Sequence, residues 1–182
     1  IQTGDVLLFR GTSMVSRIIR WGIRSVYSHA GLAAWWGDRL IVFQAVSNGA
    51  QVVPVSSAVD AYDGQVDWWV PREDTAVDPE ILLNHAVELL GRAYAFHGVL
   101  NLMWRMALRR FKGLPDPKHA PKALFCSQYV SYCYRQAGVD LVKDVDDGST
   151  SPGDLATCGL LEMKGVLHAD PSQKGARRAA RM

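Results

Sequence analysis

The chain lacks any hydrophobic run long enough to cross a membrane. About 18 consecutive apolar residues are needed, and the longest candidate, Gly98 to Phe111, is interrupted by Arg105, Arg109 and Arg110. Cysteine is scarce: Cys126, Cys133 and Cys158 are an odd number with no C-x-x-C pair. That count argues against both a disulfide framework and a cysteine-rich zinc site. No His/Cys/Asp cluster has ligand spacing, so neither a metal nor another cofactor is expected. Internal repeats and low-complexity tracts are missing too. The first residues, Ile1-Gln2-Thr3-Gly4-Asp5, have neither the charged n-region nor the apolar h-region of a secretory signal. The compartment therefore stays open between the cytoplasm and export by another route.

What is present is ordinary globular composition: 182 residues, 48% hydrophobic and 21% charged. Such a chain can bury a core, and disorder over most of its length is excluded. The length suits one domain, expected over residues 1–170, with 171–182 as a flexible basic tail. The formal charge is only +2, from 20 basic and 18 acidic residues, but it is unevenly placed. Gln173 to Met182 holds Lys174, Arg177, Arg178 and Arg181 and no acid; without those four, 16 basic residues face the 18 acidic ones. A basic tail attracts nucleic acid or an anionic membrane, and is equally a frayed, solvated terminus. No specific nucleic-acid partner is expected, because Trp35-Trp36 and Trp68-Trp69 fall in strand patterns, where tryptophan serves a core or cleft.

The first half reads as strands. Asp5 to Phe9 follows a Thr-Gly turn, Ser28 to Trp35 ends at a Gly37-Asp38 turn, and Leu40 to Val46 runs into the hairpin signal Asn48-Gly49. Ala50 to Val55 returns, and Asp67 to Val70 is stopped by Pro71. Such closely spaced strands predict an antiparallel sheet. Between the first two strands, Ser13 to Trp21 suits a short helix with Ser13 as cap and Val15, Ile18 and Ile19 on one face. The second half reads as helices. One is capped by Asp78 with Pro79 in its first turn and stops at Gly91; another spans Gly98 to Arg110, with its basic end suited to the helix dipole. A loop with three prolines occupies Gly113 to Pro121, a third helix covers Ala123 to Ala137, and Ser151-Pro152-Gly153-Asp154-Leu155 is a turn entering a short helix. Disorder is expected beyond Asp170.

Cys126 opens the third helical pattern. A thiol in the first turn of a helix sits at the positive end of the dipole, which favours the reactive thiolate. The alternative is a small buried hydrophobe, the role expected of Cys133 two turns deeper. A cysteine nucleophile needs a base. Of the five histidines, His29 stands at the start of an apolar strand, where a sheet edge holds an imidazole rigidly. His85 reads as a packed or half-exposed helix residue, His97 as a weaker candidate near a turn, and His119 and His168 as solvent-facing. A third group commonly orients the base. Gln44 is the polar member of the run Ile41-Val42-Phe43-Gln44-Ala45, either an inward amide with a partner or an exposed group on an edge strand.

Four segments together resemble the circularly permuted branch of the NlpC/P60 papain-like superfamily, the YiiX/YebB-like cysteine hydrolases. They are Thr3-Gly4-Asp5-Val6-Leu7-Leu8, Ser28-His29-Ala30-Gly31-Leu32, Leu90-Gly91-Arg92-Ala93-Tyr94 and Phe125-Cys126-Ser127-Gln128-Tyr129-Val130. The histidine strand precedes the cysteine helix, as in the permuted branch. The resemblance spans about Thr3 to Leu160, with the later Ser151-to-Leu155 segment also similar. It implies an α+β fold in which an antiparallel, partly barrel-like sheet packs on helices. It implies Cys126 as nucleophile, His29 as base, Gln44 at the third polar position where the branch often carries Glu, and Tyr94 lining the site near the oxyanion. Asp5 reads as a turn-fixing residue. The expected activity is a thiol hydrolase that cleaves an amide bond through a thioester, in a cell-wall-type peptide. The alternatives are a lipid acyl hydrolase or acyltransferase in weak contact with a membrane surface, and a binding module of the same fold without activity. The Gly98–Phe111 segment, apolar with a basic end, suits either an anionic interface or an ordinary core helix.

Overall fold

The strands Val6–Gly11 (β1), His29–Trp36 (β2), Arg39–Val46 (β3), Gly49–Pro54 (β4), Gly64–Pro71 (β5) and Leu161–Leu167, here β8, form one sheet in the order β4-β3-β2-β1-β5-β8. The computed structural model describes residues 1–94, 123–143, 145 and 147–168. The expected helix at Gly98 to Arg110, the proline loop, His97, His119 and the basic tail lie outside them. Every pairing in the sheet is antiparallel, as the closely spaced strands predicted. The partly barrel-like closure is corrected: β4 and β8 are the two edges and do not pair, so the sheet is open. Leu161–Leu167 adds to β5 at the far edge instead of meeting β4. A second, two-stranded parallel sheet joins Ala93–Tyr94 (β6) to Ala123–Leu124 (β7).

Side-chain alternation splits the sheet into two faces. Val6, Leu8, Ala30, Leu32, Ala34, Ile41, Phe43 and Ala45 point to one side. There they pack on the helices Pro79–Glu88 (α3) and Cys126–Gln136 (α4) through Leu82, Ala86, Tyr129, Val130 and Cys133. Leu7, Phe9, Ala33, Val42 and Val66 point to the other side, against Val55 and Val59 of the helix Val55–Ala61 (α2). The sheet is covered on both faces, which explains why β1 is a run of buried residues rather than an alternating strand.

Local chemistry accounts for the helix ends. Asp78 accepts hydrogen bonds from the Glu80 and Ile81 N–H groups, with Pro79 inside the first turn. Ser151 and Asp154 form a reciprocal capping box at the start of Pro152–Thr157 (α5). Gly153 is required there, because a Cβ would meet Ser25 at 2.8 Å. Ser13 caps the helix Met14–Ile23 (α1) through Ser16 N–H. Of the three residues expected on one face of α1, only Ile19 is half-buried. Val15 and Ile18 are exposed, together with Met14 and Trp21, and it is Ile23 that is buried. The sequence periodicity identified the apolar stripe, but the core space on that side of the sheet is already filled by α2.

Among the described residues α2, β6 and β8 carry no expectation from the sequence, and β7 occupies Ala123–Leu124, where the third helix was expected to begin; that helix starts at Cys126. α2 is only seven residues long, and β8 lies in a stretch interrupted by Lys164 and Gly165. Of these, α2 walls the site described next, and β8 pairs with β5 along its length with a bulge at Trp68/Trp69.

Candidate active site

α4 begins at Cys126, preceded by Phe125 as an N-cap without a side-chain hydrogen bond and with no acidic residue in the first turn. The helix's unpaired N–H groups and its dipole therefore act undiminished on the thiol. The helix is held in place along its length. Ser127 Oγ donates to Thr150 O at 2.7 Å, Tyr129 OH donates to Ala86 O on α3, and Tyr134 OH donates to Gly4 O at the start of the chain.

β2 carries His29 and β3 carries Gln44. Alternation puts both side chains on the sheet face shared with Phe9 and Val42. The β2–β3 ladder runs from Trp36↔Arg39 to Leu32↔Phe43 and ends there. Beyond it, His29 pairs with Phe9 of β1 and Gln44 with Gln51 of β4. The backbone ladder stops short of the site, yet β2 still lies tight against β3 there: a Cβ on Gly31 would meet Val42 Cγ2 at 2.5 Å and Phe43 O at 3.3 Å. At this level the Cys126 thiol faces the His29 ring and the Ala30 and Ser127 N–H groups, each of which favours its charged form. On its far side the ring is held by Gln44, with Nε2–H donating to Oε1 at 2.7 Å. That bond assigns the tautomer and leaves Nδ1 for the thiol. The Phe9 ring lies 5.0 Å from the imidazole, centroid to centroid, and restrains its tilt.

The electrostatics favour charge separation. Burial pushes the Cys126 thiol up, but the His29 ring and the two N–H groups outweigh it and hold it below the ordinary thiol value. Burial pushes the His29 imidazolium down, and Cys126 with Gln44 more than restores it, so the ring sits above its ordinary value. The two shifts have one cause, the thiolate–imidazolium pair. Cys133 is fully buried and burial pushes its thiol far up, the packing role expected of it. All three cysteines are free.

The residues singled out from the sequence thus largely converge: Cys126, His29 and Gln44 form a continuous relay. Tyr94 returns to its vicinity through the backbone, because the β6–β7 pairing sets Tyr94 opposite Leu124, two residues before Cys126. Gly49, at φ 108°, lets the β3–β4 turn approach Arg92 O, whose carbonyl accepts from Ala50 N–H at 2.9 Å, which ties this segment to the sheet. Asp5 is structural, accepting from Gln2 N–H and from the Trp68 indole. His85 is half-buried beside Glu88, at 2.9 Å, and His168 is exposed.

A cleft of about 240 Å3 opens beside the relay, lined by Phe9, His29, Gln44, Val46, Ala58, Ala61 and Tyr62. Three of these come from α2 and the residue after it, which sequence reasoning missed. The spacing of Val55, Val59 and Tyr62 was the available signal, a helical stripe too short to separate from a loop. Tyr62 stacks edge-on against Phe9, with its hydroxyl 3.2 Å from Ser28 Oγ. Burial raises its pKa, so it stays a neutral phenol. Among the described residues no group of three or more His, Cys, Asp or Glu side chains is placed to hold a metal ion.

Fold and site together define an α+β protein with an open antiparallel sheet and a buried Cys–His–Gln relay at a helix N-terminus. No protein-family model matches the chain, and no curated protein matches it. Among solved structures it is similar to the metalloprotein YiiX from Escherichia coli O157:H7, described as DUF1105. The TM-score is 0.58 at 20% identity, over 96% of this chain and 91% of that one. The chain therefore has a YiiX-like fold.

Proposed function

We propose that the chain is a thiol hydrolase of the permuted NlpC/P60 papain-like type, acting through a thioester. The observation that carries this reading is the relay from Gln44 through the His29 ring to Cys126. The thiolate attacks an acyl carbonyl carbon. The oxyanion is met by N–H groups of the first turn of α4, which precede its first helical bond, Tyr129 N–H to Phe125 O. Tyr94 stands on that side of the site by its pairing with Leu124. The imidazolium gives its Nδ1 proton to the leaving amine, and a thioester remains. Water then attacks the thioester carbonyl while His29 takes its proton, which releases the carboxylate and restores the pair. Gln44 holds the ring but carries no charge, so the ion pair depends on the helix dipole and the two N–H groups more than in a site with a carboxylate.

The bond expected is an amide of a cell-wall-type peptide. An acyl lipid is the second reading, favoured by the lining: among the described residues it is, apart from His29 and Gln44, Phe9, Val46, Ala58, Ala61 and Tyr62, with no charged side chain. The YiiX neighbour is described as a metalloprotein. Cys126 and His29 with an amide as third group do not fit a resident zinc-type site, which needs three or four thiolate, imidazole or carboxylate donors, and no step is derived through a metal.

The test is alkylation of each cysteine with iodoacetamide across pH, read by mass spectrometry. A free thiol titrates near ~8.5. Cys126 is lowered, so its rate should rise at a pH well below that value, and His29→Ala should return it toward ordinary thiol behaviour. Cys133 should react only on unfolding. Cys126 titrating as an ordinary thiol in the wild type would remove the basis for this reading. Intact-mass detection of an acyl adduct on Cys126, after mixing with an activated acyl ester, tests the thioester directly.

A further inference from the structure

α1 turns its apolar stripe to solvent. Met14, Ile18 and Trp21 follow at helical spacing, with exposures of 77%, 53% and 84%, and Val15 and Val26 extend the patch at 67% and 53%. This is a contiguous face of large side chains, not scattered single residues. Its charge is of one sign. The stretch Thr12 to Val26 contains Arg17, Arg20 and Arg24 and no acid. Arg20 is committed to Gly11 O at 3.0 Å. Arg17 and Arg24 are exposed at the border of the stripe, three residues from Met14 and Trp21 respectively. An apolar face with an indole, rimmed by arginines, is complementary to a bilayer surface carrying anionic headgroups, with the side chains of the stripe seated at the acyl boundary.

The position of the helix relates it to the cleft. A Cβ on Gly11 would meet both Ser16 Oγ of α1, at 2.2 Å, and Tyr62 OH, at 2.7 Å. The first turn of α1 therefore lies against the residue that walls the cleft. We infer that α1 is a docking surface for an anionic lipid bilayer, seated by Met14, Ile18 and Trp21 and steered by Arg17 and Arg24, which sets the chain on the membrane with the cleft wall beside the interface. The inference is independent of the thiol chemistry.

The experiment is co-sedimentation of the full chain with vesicles of phosphatidylcholine alone and of phosphatidylcholine mixed with phosphatidylglycerol. The wild type and Cys126→Ala should both sediment with the mixed vesicles, far less with the neutral ones, and less as salt rises. The double variant Ile18→Ser/Trp21→Ser, whose side chains are exposed and whose fold circular dichroism can check, should bind at least tenfold more weakly. Arg17→Glu/Arg24→Glu should lose the preference for the anionic lipid. Equal binding by wild type and both double variants overturns the inference. So does binding that disappears only when Gln173 to Met182 is deleted, which would assign it to the tail. A chain that is dimeric by light scattering, and monomeric as Ile18→Ser/Trp21→Ser, would place a second copy on this face and overturns it as well.

Discussion

Cys126→Ala is expected to abolish turnover while the protein stays folded. The thiol is buried, but the substitution removes one atom at a helix N-terminus that Ser127, Tyr129 and Tyr134 hold independently, so the fold does not depend on it. Loss of the nucleophile should cost on the order of 10³-fold or more in kcat. His29→Ala should cost about 10²–10⁴-fold, because the ring both maintains the thiolate and protonates the leaving group. Gln44→Ala should cost less than either, since the amide only sets the tautomer and tilt of the ring. The pH profile carries the sign. The reactive pair exists above the lowered pKa of Cys126 and below the raised pKa of His29, so kcat/KM should be bell-shaped. Gln44→Glu should move its upper limb to higher pH, because a carboxylate beside Nε2 stabilises the imidazolium. Steady-state assays of these variants on peptide amides and acyl esters measure all of this. Substantial turnover by Cys126→Ala removes the nucleophile assignment, and an unmoved upper limb in Gln44→Glu removes Gln44 from the relay.

The second large effect is on stability. Asp67→Ala should lower the free energy of unfolding by about 3 kcal/mol, near the lower end of what breaking a buried ion pair costs. The Asp67 carboxylate is completely buried. It is tolerated because donors surround it: Arg10 Nε at 2.8 Å and Nη2 at 2.6 Å, Tyr27 OH at 2.7 Å and Gln65 Nε2 at 2.6 Å. Burial and the neighbouring carboxylate raise the Tyr27 pKa, so the phenol keeps the proton it donates. Removing the carboxylate orphans these donors. Arg10 is partly solvated and recovers some of the loss, which is why the lower end of the range applies. Tyr27 stands two residues before His29, so the network also anchors the start of the strand that bears the base. Urea unfolding of wild type, Asp67→Ala and Asp67→Asn measures the effect, with the smallest loss expected for the isosteric amide. A midpoint for Asp67→Ala equal to wild type would show that the network carries no net stability.

The chemistry-bearing residues were legible because each rests on a local rule. A cysteine at the first turn of a helical pattern, a histidine at the entry of an apolar strand, and an amide inside an apolar run are each visible within a few residues. The caps at Asp78 and Ser151 and the turn at Asn48-Gly49 are of the same kind, and the elements they delimit stand where those signals put them. The alternatives left open by the sequence, Cys126 as a mere packing group or Gln44 as an exposed edge residue, needed distances to decide between them.

By itself the sequence determined five of the six antiparallel strands, the starts of most described helices, and Cys126, His29 and Gln44 as the candidate residues, because turn chemistry, capping and side-chain periodicity are local. Only the tertiary structure decided four further features. The sheet stays open, because β8 adds to β5 rather than meeting β4. The β2–β3 ladder ends at Leu32 and Phe43, and beyond it His29 and Gln44 meet through their side chains. The short helix α2 supplies the wall of the cleft, and the apolar stripe of α1 faces outward. Each of these depends on which elements compete for the same space around the sheet, a contest among residues far apart in the chain that no local pattern records.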